Sequence, residues 1–137
     1  MNYIQEINLT TQGFCDIINI TDEIQQAVDN SDIEQGLVCV FAKGSTCSIT
    51  QIEYEPNLIQ DFKDLMERLI PQDKATRHGQ TWGDDNGFSH LRASLLGSSV
   101  SIPVKDKKLI LGSWQQIVFC DFDNRQRQRQ VIILVIK

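Results

Sequence analysis

His78 and His90, the two histidines of the chain, bracket a stretch dense in Gly, Asp and Asn that runs RHGQTWGDDNGFSHLRASLLG from Arg77 to Gly97. Imidazole exchanges protons near neutral pH and offers a nitrogen to metals, so the pair is a candidate for acid–base work or metal ligation. Asp84, Asp85 and Asn86 carry hard oxygens of the kind that Mg²⁺ or another divalent ion shares with a phosphorylated substrate, which makes Asp84 and Asp85 the candidate metal ligands. This loop leads into an apolar, helix-compatible segment, Leu91 to Leu96, with Ser89 as the expected N-cap and Gly97 as the stop. Helix N-termini attract anions, because first-turn N–H groups lack partners and the helix dipole adds positive potential. Asn86 and Ser89 are therefore candidate anion-binding residues. The same residue types also build ordinary turns.

A second constellation lies near the C-terminus. Arg125, Arg127 and Arg129 alternate, so on a strand their guanidinium groups project from one face and suit phosphate oxygens. A solvated edge strand or a row of ion pairs uses the same pattern. Asp121 and Asp123 precede the row with the same parity and could share a metal or pair with the arginines. Ser45 and Thr46, after Gly44, could donate hydroxyl and N–H groups to an anion or simply form a turn. The chain has no G-x-S-x-G elbow, P-loop or dinucleotide fingerprint, which speaks against hydrolase triads, nucleoside triphosphatases and dehydrogenases.

The elements that must position these groups are partly legible. Tyr3 to Leu9 alternates as a half-buried strand, and Thr21 is the expected cap of a helix from Asp22 to Asp29 with Ile24, Ala27 and Val28 on its core stripe. Leu37 to Ala42 reads as a central strand buried on both faces, and Cys47 to Ile52 as its neighbour across the Gly44 break. Pro56 opens a helix in which Leu58, Phe62, Leu65, Met66 and Leu69 recur at helical spacing. Ser99 to Val104 and Lys108 to Leu111 form a hairpin, Gly112 to Gln116 is a loop carrying Trp114, and Ile117 to Phe122 and Arg129 to Ile136 are the last strands. Many strands with two or three unevenly placed helices predict an α+β fold with mixed or antiparallel sheets.

Composition bounds the rest. The length of 137 residues suits one domain, 1–137, and no repeat or linker divides it. A net charge of −5 argues against general nucleic-acid affinity. With neither a membrane span nor a signal peptide in the pattern, the cytoplasm is the expected compartment. Cys15, Cys39, Cys47 and Cys120 are scattered without a C-x-x-C pair and read as reduced core residues.

Taken together, TQGFCDI, QGLVCVF, Arg77–His78, HLRASLLGSS from His90, IPV, LGSWQQI and CDFD resemble stretches of the YjbQ-like proteins, also called the secondary thiamine-phosphate synthase family, over nearly the whole chain. The resemblance implies an α+β fold assembled as a homotrimer, with a polar site of His and acidic residues and a weak thiamine-phosphate synthase activity. In that transferase reaction a thiazole phosphate attacks a pyrimidine diphosphate as pyrophosphate leaves, with Mg²⁺ and arginines neutralising the departing charge and no organic cofactor. His78, Asn86, His90, Trp114 and Asp121 stand at matching positions, which makes His78, His90 and Asp121 the candidate catalytic residues and adds Trp114 to the anion-binding set. The family carries His where this chain has Gly44 and Phe88, and Glu where it has Asp121. The expected partner is a phosphorylated small molecule, bound by an enzyme or by a non-catalytic anion-binding descendant.

Overall fold

The computed structural model describes residues 1–137 as eight strands and four helices. In chain order these are β1 (Tyr3–Thr11), β2 (Asp16–Asn19), α1 (Thr21–Ser31), β3 (Gln35–Lys43), β4 (Cys47–Ile52), α2 (Pro56–Leu69), α3 (Arg77–Trp82), α4 (Gly87–Leu96), β5 (Ser99–Lys105), β6 (Lys108–Leu109), β7 (Gln116–Asp121) and β8 (Arg127–Ile136). All pairings are antiparallel, in a five-stranded sheet ordered β1-β8-β3-β5-β6 and a three-stranded sheet ordered β2-β7-β4. The α+β expectation holds, with antiparallel sheets and one helix beyond the two or three expected. That helix, α3, has six residues, too few to show a helical period.

Two layers of apolar packing hold the sheets in place. Between them lies the larger core, where Ile24, Ala27 and Val28 of α1 join Val38 and Val40, Ile49, Ile117 and Phe119, and Ile133 and Val135. The far side of the three-stranded sheet is covered by α2 and α4, through Met66 and Ala93 against Ile17, Val118, Cys120 and Phe122. Each fully buried aliphatic side chain stabilises by roughly 1.5–3 kcal/mol relative to exposure. The strand buried on both faces is therefore β7. On β3, Leu37 and Phe41 are exposed and Cys39 is half-buried, so its continuous apolar run reflects an apolar outer face. Nor do β3 and β4 pair; they lie in different sheets and face each other across the core.

Local chemistry sets the ends of the elements. Pro56 opens α2 as expected, and the Glu55 carboxylate accepts the N–H groups of Asn57 and Leu58, which a cap must do. Thr21 does not cap α1. It is the first helical residue, and its hydroxyl donates to Asn19 Oδ1 at 2.7 Å and accepts the Ile117 N–H at 2.8 Å. The β5–β6 hairpin turns on Asp106 and Lys107, with φ of 52° and 59°, the two left-handed positions that a tight hairpin requires. β8 is an interior strand between β1 and β3, not an edge.

Candidate functional site

One end of the two sheets gathers most of the candidate residues. Arg127 and Arg129 continue the inward face of β8 that carries Val131, Ile133 and Val135, so strand parity delivers two guanidinium groups to the rim of the core. There they meet Asp121, at the end of β7, and Asp123 just beyond it, both fully buried. Arg129 grips Asp121 with two parallel bonds, Nε to Oδ2 at 2.7 Å and Nη2 to Oδ1 at 2.9 Å. Its Nη2 also donates to Thr46 Oγ1 at 2.6 Å. Thr11, the last residue of β1, donates its hydroxyl to Asp121 Oδ2. Arg127 Nε donates to Asp123 Oδ2 at 2.7 Å, and Asp123 also accepts from Asn86 Nδ2 and from the Asn124 N–H.

This network fixes charge as well as geometry. Burial pushes the Asp123 carboxyl up, but the bonds from the Asn124 N–H, Arg127 and Asn86 outweigh it and hold the group below the usual Asp range. For Arg129, burial opposes the charge, while the hydrogen bonds and charge of Asp121 raise its pKa. Both groups are therefore ionised at neutral pH. Desolvation that would be costly for a lone ion is met here by pairing and hydrogen bonding.

Above the network opens a cleft of about 480 Å³. Its floor is Arg127, Arg129, Thr46 and Asn86; its walls are Gly44 and Ser45 from the β3–β4 loop, His78 and Trp82 from α3, Asp84, and His90 from α4. The imidazoles of His78 and His90 stand edge to face with centroids 4.6 Å apart, and His78 Nε2 lies 3.8 Å from Asp84 Oδ1. Arg127 spends only Nε on the protein and Arg129 spends Nε and Nη2, so Arg127 Nη1 and Nη2 and Arg129 Nη1 have no protein acceptor. Asn86 Oδ1, also buried, has no donor. The arrangement offers directed N–H groups to a small anion.

The candidates from sequence divide accordingly. Ser45, Thr46, His78, Asp84, Asn86, His90, Arg127 and Arg129 line the cleft, and Asp121 supports it from below. Arg125 falls in the turn before β8 and is exposed; the strand starts two residues too late to include it in the row. Trp114 is 74% exposed and borders a separate cavity with Asn19, Tyr54 and Pro56. Ser89 is not the N-cap of α4, which begins earlier with Asn86 in that position; Ser89 is buried and its hydroxyl donates to the Asn86 carbonyl. Asp85 is exposed, with φ of 54°, and does not line the cleft. Thr11 and Trp82 carried no sequence signal, since neither belongs to a patterned group.

The profile of the UPF0047 YjbQ-like family matches residues 5–137. The chain belongs to this family. It is 40% identical over 128 residues to a UPF0047 protein of Archaeoglobus fulgidus, covering 93% of this chain and 97% of the relative. A UPF0047 protein of Methanothermobacter thermautotrophicus is 35% identical over 127 residues, covering 93% and 87%. In structure, the chain is similar to a protein of the YjbQ/UPF0047 family from Clostridium acetobutylicum, at 33% identity, TM-score 0.88 and coverage of 96% and 99%. It is also similar to a YbjQ-like protein of Sulfolobus solfataricus at 28% identity, TM-score 0.93 and coverage of 98% and 96%.

Of the two candidate metal ligands only Asp84 reaches the cleft, so a divalent ion there would need phosphate oxygens of a substrate to complete its shell. No three His, Cys, Asp or Glu side chains converge on one point. Asp121 and Asp123 have their oxygens engaged by Arg129, Arg127, Thr11, Thr46 and Asn86. Phe88, where the resemblance implies a His, does not line the cleft: it is buried, with the Arg92 guanidinium 5.2 Å from its ring centroid. The structure places no helix long and apolar enough to cross a membrane.

Proposed function

We propose that the cleft binds a small phosphorylated molecule, its phosphate oxygens on Arg127 and Arg129 and its flank against His78 and His90. The observation that carries this reading is the set of three guanidinium nitrogens left without protein acceptors at the cleft floor. Their partner bonds to buried aspartates hold the forks in place, so little side-chain entropy is lost when they meet an oxyanion. Asp121 and Asp123 balance the two arginines and Asp84 adds a further carboxylate at the wall, so directed donors rather than net charge provide the attraction.

The transferase chemistry implied by the resemblance would use the same donors for a departing pyrophosphate. Asp121 and Asp123 are committed to ion pairs, so any proton transfer in such a step would fall to His78, His90 or Asp84 at the cleft wall. Pyrophosphate should raise the melting temperature, because a ligand at a hundredfold excess over Kd stabilises the folded state by about 2.7 kcal/mol. Arg127→Met should abolish that rise, and His90→Ala should reduce it. An unshifted melting curve for the parent chain at millimolar pyrophosphate overturns the reading.

A further inference from the structure

The cleft does not end at Gly44. A second cavity of about 560 Å³ adjoins it, sharing Gly44, Ser45 and His90 as common wall and continuing past Cys47, Leu91, Ala93 and Ser94 of β4 and α4. A Cβ at position 44 would lie 2.9 Å from Arg129 Nη1, in the anion cleft, and 2.9 Å from Cys47 Sγ, in the second cavity. The glycine is thus the doorway between the two, and its φ of 154° disfavours any side chain that would close it.

The two chambers differ in chemistry. No Lys, Arg, Asp or Glu lines the second one. The Ser94 hydroxyl is used on the Leu91 carbonyl at 3.0 Å. Burial pushes the Cys47 thiol up to about 11 despite Arg129 nearby, so at neutral pH this cysteine is an uncharged apolar wall and not a nucleophile. Both volumes fall within the range of small-molecule sites, roughly 300–1,000 Å³.

We propose that the ligand is bipartite: a phosphate head on Arg127 and Arg129, joined across Gly44 to a compact apolar group, aryl or branched alkyl, seated against Leu91, Ala93 and Cys47. This inference rests on the anion-binding reading above and adds the half of the ligand that gives selectivity. Isothermal titration of the full-length protein with inorganic phosphate and with phenyl phosphate separates the two. Phenyl phosphate should bind at least tenfold tighter than inorganic phosphate. Ser94→Phe, which fills the second chamber from an exposed position of α4, should remove that advantage and leave inorganic phosphate affinity within about twofold of the parent. Leu91→Gln makes the apolar wall polar at another exposed site and should reduce the advantage several-fold, which keeps the test available if Ser94→Phe fails to fold. Equal affinities of the parent for the two probes overturn the bipartite ligand while leaving the anion site standing. An advantage that survives both variants overturns it as well. Failure of both probes to bind the parent removes the anion site itself, and this inference with it.

Discussion

Arg129 and Arg127 look alike in the sequence but carry different loads. Arg129 is nine-tenths buried and matches both oxygens of Asp121, whereas Arg127 is about a third exposed and offers Asp123 a single bond. Breaking a fully buried pair leaves an uncompensated charge and costs about 3–5 kcal/mol, so Arg129→Met should unfold at much lower urea than the parent. Arg127→Met leaves Asp123 with Thr46, Asn86 and the Asn124 N–H and should cost about 1–3 kcal/mol. A larger loss for Arg127→Met in urea titrations would reverse this assignment. The Asp123 network also sets an acid limit. Its folded pKa is below the unfolded value of about 3.9, so its stabilisation is complete above that value and lost as pH falls through the folded pKa. Melting temperature should fall as pH drops below about 4, and Asp123→Asn, though less stable at neutral pH, should fall less steeply there.

At the scale of elements, the cleft depends on how α3 is seated on the start of α4. Gly87 opens α4 with its Cα against the side chain of Thr76, which a Cβ would overlap. Thr76 in turn caps α3 by accepting the Gly79 N–H. Gly87→Ala should therefore cost about 1–3 kcal/mol from overpacking and also displace His78, so pyrophosphate-dependent stabilisation should drop along with melting temperature. Gly83→Ala serves as the comparison: open space surrounds that position, although its φ of 70° is unfavourable. It should lower stability by about 1 kcal/mol and keep pyrophosphate binding. Equal losses of binding in the two variants would mean that the Thr76 contact does not position the site. Where the pattern was long, sequence reading placed the elements, as with α2 from Pro56 to Leu69 and the β5–β6 hairpin. It missed α3 and put the start of α4 at Ser89, because a six-residue helix shows no period and an Asn cap inside a polar loop looks like any turn. The convergence of Thr46, Asn86 and Arg129 is set by the packing of two sheets, which no local pattern encodes. Phe88 reads as a lost pocket histidine until its ring is found against Arg92, which fastens α4 to α2 through Glu67 and the Ile70 carbonyl.

At the scale of the molecule, the outer face of the five-stranded sheet has no covering layer. Three apolar pairs lie directly opposite each other on it, Leu37 with Ile136, Cys39 with Leu134 and Phe41 with Ile132, and Ile4 extends the row from β1. All of these side chains are exposed or half-buried. Contiguous apolar patches of this kind mark interaction surfaces far more often than scattered exposed side chains do. Because β8 is an interior strand, its edges are already paired, and the surface it leaves for association is this face. We predict that this face is the contact between copies of the chain and that the assembly is the homotrimer implied by the family resemblance. Multi-angle light scattering at micromolar concentration should give three times the 15.6 kDa chain mass, and melting temperature should rise with protein concentration, as it does for folded states stabilised by association. Phe41→Glu places a charge on the outer face without touching Val38, Val40 or Ala42 on the inner one. The variant should run as a monomer with its β-rich circular dichroism retained. A parent chain that is monomeric at these concentrations, or a Phe41→Glu variant that remains trimeric, would rule out this face as the interface.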